Sequence, residues 1–502
     1  MKSIRHRRST SVVLFAGLAL LFTGPAYGQD AINNSVVKIH VTNREPDFTR
    51  PWAKGTPKQV AGTGVIIEGE RILTNAHVVN YAVRILVQGH QETERIPARL
   101  VAVSPEMDLA LLEIDKAGFF STRPALELDS ELPKVKDTIS AYGYPIGGEQ
   151  LSVTEGIVSR IEYSRYNFGS MGMRIQVDAG LNPGNSGGPV MREGKVAGIV
   201  YSTIRSAENI GYVIPAEEVR LFLDDIADGT YTGKPKLVGY FQTVENTTLR
   251  QRLGLQEETG GLMVRDPVEE VEDYPLKPWD VITHVGPHPL DKKGNVRLED
   301  GLNISFRYLL TDLVKEDKLP VTILREGEIQ QLSLPVVTEV PALVTSLRGA
   351  YPRHFIFGPL TFTTASQDLI ARINPQIQLV LKARKNPIIL RQFDRPAFPD
   401  EELVILSVRM FPHPLVEGYD QQSFAAVHRV NEVDIKNLLH LVETIRDSEG
   451  EFLTIEFYGM YETMVLPRQG MFDSTEQILE DEGIRTPYSD DLRETWENRK
   501  RT

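Results

Sequence analysis

The 502-residue chain contains no cysteine, which excludes disulfide stapling and thiol chemistry. An oxidising compartment would be tolerated without being exploited. It has no HExxH helix and no close-spaced set of histidines and carboxylates, so nothing supports a metal-assisted mechanism, and no cofactor is implied. No GxxxxGK[ST] loop is present to cradle nucleotide phosphates. Positive charge is in deficit, with 55 Lys and Arg against 68 Asp and Glu, a net −13. Nucleic acid is a poor partner for such a chain, because phosphate contacts need clustered Lys and Arg; the charge reads as solubility.

A membrane-spanning stretch is also missing at the N-terminus. The apolar run Val12–Phe22 is shorter than the ~20 residues a spanning helix needs. It follows Lys2, Arg5, Arg7 and Arg8 and precedes Ala26-Tyr27-Gly28, the order of a secretory signal with its cleavage site. Residues 1–28 are therefore expected to be removed and the product exported, to the periplasm first of all. An uncleaved segment that tethers the protein to a membrane is the alternative. Cleavage would take the net charge to −17.

What remains is long enough for about three domains, with an ordinary apolar fraction of 41%. Between Ile32 and Thr230 short apolar or alternating runs recur with Gly and Pro turns between them, as at Val36–Val41, Gly64–Ile67, Leu109–Ile114, Thr138–Tyr142, Met173–Val177 and Val196–Tyr201. That spacing predicts an all-β sandwich or barrel. Pro215-Ala216-Glu217-Glu218 then opens a helical pattern through Val219, Phe222, Leu223 and Ile226. Asn43–Gln59, polar and Pro-rich, reads as a mobile loop near the site described next.

The chain is organised around Asp178–Pro189, in which Ser186 stands between Gly184-Asn185 and Gly187-Gly188. Glycines allow a tight turn with positive φ, and such a turn can aim two backbone N–H groups at one point beside a hydroxyl. A plain Gly/Asn/Ser surface loop is the alternative. A serine nucleophile needs a base and an orienting group. His77, in Thr74–Val79, and Asp108, at the head of Asp108–Ile114, precede it by 109 and 78 residues. The order His, Asp, Ser is that of the chymotrypsin-like proteases. Asp115, at the far end of its strand, is the alternative carboxylate and reads as solvated.

These blocks, with Tyr142–Gly148, resemble the HtrA/Deg serine proteases of the chymotrypsin clan, which carry C-terminal PDZ domains. Within them the chain is most similar to the plant nuclear-type subgroup and its bacterial relatives. The resemblance implies a mainly β protein: a chymotrypsin-like double β-barrel protease at residues 30–232, a PDZ domain at 235–337, a divergent PDZ-like domain at 341–468, and a charged tail at 469–502, loosely helical or disordered. It implies His77, Asp108 and Ser186 as the catalytic triad, with the oxyanion held by Gly184 and Ser186 N–H groups and Asn185 shaping the turn. By family position Tyr201–Gly211 would form the specificity pocket, with Ile204 and Ile210 as its apolar candidates. It also implies unfolded or damaged polypeptides as substrates and a homo-oligomer, a trimer or a multiple of one.

Past the linker Gly233–Lys236, the segment Leu237-Val238-Gly239-Tyr240-Phe241 has two readings. It is an ordinary first strand, or the loop that takes a peptide's C-terminal carboxylate for strand addition at a sheet edge. Trp279 stands where the family usually has glycine. Phe306, Tyr308, Leu309, Leu313 and Val314 suit one helix face, and Pro320–Leu324 opens a closing hairpin. The order strand, turn, helix, strand recurs at Ala425–Val430, Asn431–Val433, Leu438–Ile445 and Leu453–Phe457, an internal repeat. An insertion, Thr363–Phe393, carries amphipathic helix signals. The second module is expected to serve as a scaffold or oligomer contact rather than as a peptide site.

Overall fold

The computed structural model describes residues 28–165, 170–203, 210–266, 274–298, 301–407, 410–419 and 423–498. The expected signal segment lies almost wholly outside them. The first half is mainly β, as the strand spacing anticipates, in the double-barrel arrangement that the resemblance implies. Strands β1 (Val36–Asn43), β2 (Lys58–Ile67), β3 (Arg71–Thr74), β4 (Ala82–Gln88), β5 (Ile96–Pro97), β6 (Arg99–Ser104) and β7 (Leu109–Glu113) form one antiparallel sheet in the order β5-β4-β1-β2-β3-β7-β6. Strands β8 (Thr138–Gly143), β9 (Ser152–Arg165), β10 (Met171–Asp178), β11 (Pro189–Arg192), β12 (Lys195–Thr203) and β13 (Ile210–Pro215) close a barrel in the order β10-β13-β12-β11-β8-β9.

Alternation along a strand builds two cores at once. On β1, Val37, Ile39 and Val41 pack with Ile66, Ile72 and Leu112 inside the first sheet. Val36 points the other way, into a seam with Val65, Leu73, Leu109, Tyr142, Ile199 and Phe222 that joins the two halves. The helix Ala216–Asp225 begins directly after Pro215 and buries Val219 and Phe222 in that seam. Its buried Glu218 accepts the Met173 N–H at 2.8 Å and pairs with Lys234, anchoring the start of the next module.

In the first C-terminal module, Tyr240–Thr243, Leu262–Asp266, Val281–Val285, Lys318–Arg325 and Glu328–Pro335 lie in that order in one sheet. The closing hairpin turns through Glu326 (φ 51°) and Gly327 (φ 89°), the left-handed pair that suits a two-residue turn. Trp279 has φ 77°, so the position keeps a glycine-like backbone while carrying an exposed indole. The anticipated helix is shorter than its apolar spacing suggests: a single 3-10 turn, Phe306–Leu309, runs into Leu310–Leu313.

The repeat in the second module is present as Val427–Val430, Leu438–Arg446 and Phe452–Phe457. The insertion forms the short helices Gln367–Ile370, Pro375–Ala383 and Pro387–Leu390. Two expectations are corrected. The charged tail is neither loose nor separate. Its helix Arg468–Asp481 buries Met471 and Ile478. Beyond it, Leu492 is fully buried and Trp496 meets Phe355 edge-on (4.9 Å) and stacks on Phe472 (5.9 Å). The hydrophobic side of this segment covers more apolar area than its charged composition suggests, so it folds with the module. Nor does the Asn43–Gln59 loop stand free. Trp52 packs on Phe411 at 5.3 Å, Phe48 joins the cluster around Leu369 and Phe424, and Tyr351 Oη donates to Arg44 O at 2.7 Å. The loop is a bracket between the first sheet and the second module.

Because Leu492 is fully buried, Leu492→Ala is expected to destabilise the second module by about 2–5 kcal/mol. Urea unfolding followed at the tryptophans reads this, and an unchanged midpoint would restore the picture of a detached tail.

Candidate active site

The catalytic candidates come from both halves and meet at the seam. His77 lies in the single-turn helix Ala76–Val79, just after β3, and Asp108 precedes β7, which pairs with β3. Strand pairing thus brings residues 31 apart in sequence side by side: His77 Nδ1 lies 2.7 Å from Asp108 Oδ2, and the His77 backbone N–H donates to Oδ1 at 2.9 Å. Asp108 is 1% exposed, in the left-handed region at φ 58°, and its carbonyl accepts from Asn75 Nδ2 at 2.9 Å. With both carboxylate oxygens engaged, the ring is held by Nδ1 and its Nε2 is left to face a nucleophile. The imidazole itself stays almost half exposed, at 46%. The crowding of protein around it lowers its pKa, but the hydrogen bond to Asp108 and that carboxylate's charge outweigh this and raise it above the ordinary 6.5.

Ser186 sits in the turn between β10 and β11. Asn185 N–H closes that turn on Asn182 O (3.0 Å), whereas neither the Gly184 nor the Ser186 N–H has an acceptor among the described residues. Pro183 O is held by Ile146 N–H at 2.8 Å. In a planar trans peptide the carbonyl and the following N–H point in opposite directions, so this bond turns Gly184 N–H away from Ile146. Gly184 has φ 103°, and a Cβ there would lie 2.5 Å from Tyr144 O. Only glycine permits both the angle and the approach. Two unpaired N–H groups two residues apart beside a serine hydroxyl are the donors an acyl-transfer oxyanion requires. Ser186 Oγ itself leans towards Tyr201 O at 3.5 Å, and no hydrogen bond joins it to His77.

One residue that sequence reasoning passed over ties the site together. Thr63 Oγ1 donates to Gly184 O (2.7 Å) and accepts from Tyr144 N (2.9 Å); its N–H donates to Ser186 O (2.9 Å), and its carbonyl accepts from Thr74 Oγ1 (2.7 Å). The signal lay in its neighbours: a Cβ on Gly62 would meet Val78 at 2.6 Å and one on Gly64 would meet Ile72 at 2.7 Å, so β2 must be thin there. Of the pocket candidates, Ile204 lies outside the described residues. Ile210 opens β13, paired with Asp178. The buried Arg174 guanidinium lies over the Tyr201 ring at 4.0 Å, next to this region. In the segment Leu237–Phe241, Leu237 is buried, Gly239 has φ 135°, and Tyr240 is exposed on the edge strand of its sheet. Both of its readings remain compatible with that placement.

A double β-barrel with a histidine held by a buried aspartate and a glycine-turned serine defines a chymotrypsin-like serine endopeptidase. Residues 62–199 match the family model of the trypsin-like peptidase domain, and residues 345–491 match that of the PDZ domain. Protease Do-like 2, chloroplastic, of Arabidopsis thaliana is 33% identical over 484 residues, 94% of this chain and 78% of its own. Protease Do-like 4, mitochondrial, of the same plant is 31% identical, covering 89% and 83%. The solved HtrA-type protease AlgW with a tripeptide shares 25% identity and a TM-score of 0.50, over 62% of this chain and 97% of that one. The chain belongs to the HtrA/Deg family of Do-like serine proteases.

Thr63→Val keeps the shape of the side chain but strands Gly184 O and Tyr144 N. Turnover on a peptide substrate is expected to fall by roughly tenfold to a hundredfold, with a loss of stability of about 1–3 kcal/mol that leaves the chain folded at the assay temperature; unaltered kcat would remove Thr63 from the site. A neutral His77 is needed to take the serine proton, and its pKa is raised. Activity should therefore fall as pH drops through a midpoint above 6.5. A kcat/KM profile whose acid limb lies at or below that value contradicts the role given to Asp108.

Proposed function

We propose that the protein is an ATP-independent serine endopeptidase that degrades unfolded or damaged polypeptides outside the cytoplasm. The observation that carries this is the His77–Asp108 pair facing a turn whose Gly184 and Ser186 N–H groups are unspent. Ser186 Oγ attacks the scissile carbonyl as His77 takes its proton. Gly184 and Ser186 N–H groups hold the oxyanion, and His77 then hands the proton to the leaving amine. An acyl-enzyme forms and is cleared by water through the same steps in reverse roles.

Export rests on the N-terminal Lys/Arg, apolar and Ala-Tyr-Gly pattern, with the periplasm as destination and membrane tethering as the alternative. A homo-oligomer, a trimer or a multiple of one, accords with the family. Capture of C-terminal peptides by the first module would use the open edge Tyr240–Thr243, by strand addition; the solved AlgW relative holds a tripeptide. In the second module that edge is taken. Leu360–Thr364 occupies the corresponding place, His354–Phe357 covers it, and Phe355 in turn bridges Tyr488. This supports a scaffold role there.

The Ser186 hydroxyl, turned to Tyr201 O, favours a second reading: a latent protease that acts mainly as a PDZ-based binding scaffold until a signal turns the serine. Incubation of the protein from Gln29 onward with casein, without ATP, beside its Ser186→Ala variant, separates the two. Degradation by the first alone is expected. No degradation by either, with casein retained by both, favours the scaffold.

A further inference from the structure

Beside His77 opens a cavity of about 360 Å3 whose walls do not all belong to the protease domain. One side is the His77 helix and strands β4 and β6, including Val83, Leu100 and Val103. The other is Arg348, Gly349 and Tyr351, from the segment that leads into the second PDZ-type module. We infer that this segment completes a substrate subsite, shaped for a bulky apolar or aromatic side chain next to the scissile bond. The inference rests on the serine protease reading and adds a specificity determinant to it.

The protease wall is apolar and uncovered. Val83 and Leu100 are 52% and 37% exposed although they flank a pocket that His77 and Asp108 line. Apolar surface left open against a catalytic group is what a substrate side chain would cover. The far wall is built rather than merely near. Arg348 (φ 47°) and Gly349 (φ 89°) make a tight turn closed by Ala350 N–H on Leu347 O at 2.8 Å. A Cβ on Gly349 would lie 2.9 Å from Asn80 Oδ1, so the turn presses on the residue that ends the His77 helix.

Charge fixes the turn in place. Arg348 pairs with Glu106 at 3.2 Å and with Glu339 at 3.0 Å. Glu106 is buried two residues before Asp108 and also meets Lys236, at the entry to the first module, at 3.6 Å. The Tyr351 ring stands 5.5 Å from Tyr81 with Lys54 Nζ 4.4 Å above its face, and its hydroxyl donates to Arg44 O. With Lys54 and Arg348 among the lining residues, a basic substrate side chain is disfavoured there and an aromatic one is favoured.

The test profiles the full-length protein, from Gln29, on a peptide library varied at each position around one cleavage site. Tyr351→Ala, Tyr351→Phe and Val103→Phe run beside the wild type. Tyr351→Ala should lower kcat/KM about tenfold for substrates with Phe or Leu at one position adjoining the scissile bond, with Ala-bearing substrates within about twofold. Tyr351→Phe, which keeps the ring and loses only the hydroxyl, should keep the wild-type preference. Val103→Phe narrows the cavity from the protease side and should shift the preference at that same position to small residues. An unchanged profile in Tyr351→Ala, or a uniform loss over all substrates, overturns the subsite while Ser186 still takes a fluorophosphonate label. A wild-type chain that neither labels nor cleaves overturns the protease reading, and the subsite with it.

Discussion

The placement of the Ser186 turn against the sheet that carries His77 and Asp108 depends on the hydrogen bonds of Thr63. The histidine and aspartate stand on the first sheet and the serine on the second barrel, so the fold must set the two halves against each other with atomic accuracy. Thr63 does this with four hydrogen bonds, made by its hydroxyl, N–H and carbonyl, that reach Gly184, Ser186, Tyr144 and Thr74, all from one residue of β2. These groups are buried, and a buried polar group without its partner is costly, so the arrangement has little freedom to drift. The seam cluster around Val36, Tyr142 and Phe222 supplies the packing that keeps water from competing for those bonds.

The candidate site was legible in the sequence because its residues sit in compact blocks. Thr74–Val79, Asp108–Ile114 and Asn182–Pro189 each carry their glycines, small residues and flanking strand together, and strand pairing then assembles them. Thr63 was not legible, because its role is made of partners far away in sequence, and only the glycines on either side hinted at a close approach. Arg174 beneath Tyr201 escaped for the same reason: a cation in a strand gives no sign of the ring it will cover.

The later part of the chain was read less well for a physical reason. The helix Arg468–Asp481 does have a buried stripe, at Met471, Ser474, Thr475 and Ile478, spaced three, one and three residues apart. Two of the four are hydroxyl residues, so the stripe is faint by hydropathy although Thr475 Oγ1 finds a backbone partner, accepting the Gly358 N–H at 2.7 Å. In the Asn43–Gln59 loop, Phe48 and Trp52 were the two signals of a docking surface within a polar stretch. An aromatic in a loop announces burial without naming what will bury it.

Glu106 gives the architecture a further meaning. Cations at the start of both C-terminal modules, Lys236 and Arg348, converge on this one buried carboxylate two residues before Asp108. The protease half is therefore not a portable unit. A chain ended after the first module would leave Glu106 with Lys236 as its remaining ion-pair partner of the two, the cleft by His77 without its outer wall, and the Phe48 and Trp52 loop without a seat. Recombination that exchanged the second module for an unrelated one would alter the neighbourhood of the catalytic pair as well as what the protein binds, so in this architecture the modules are constrained to evolve together.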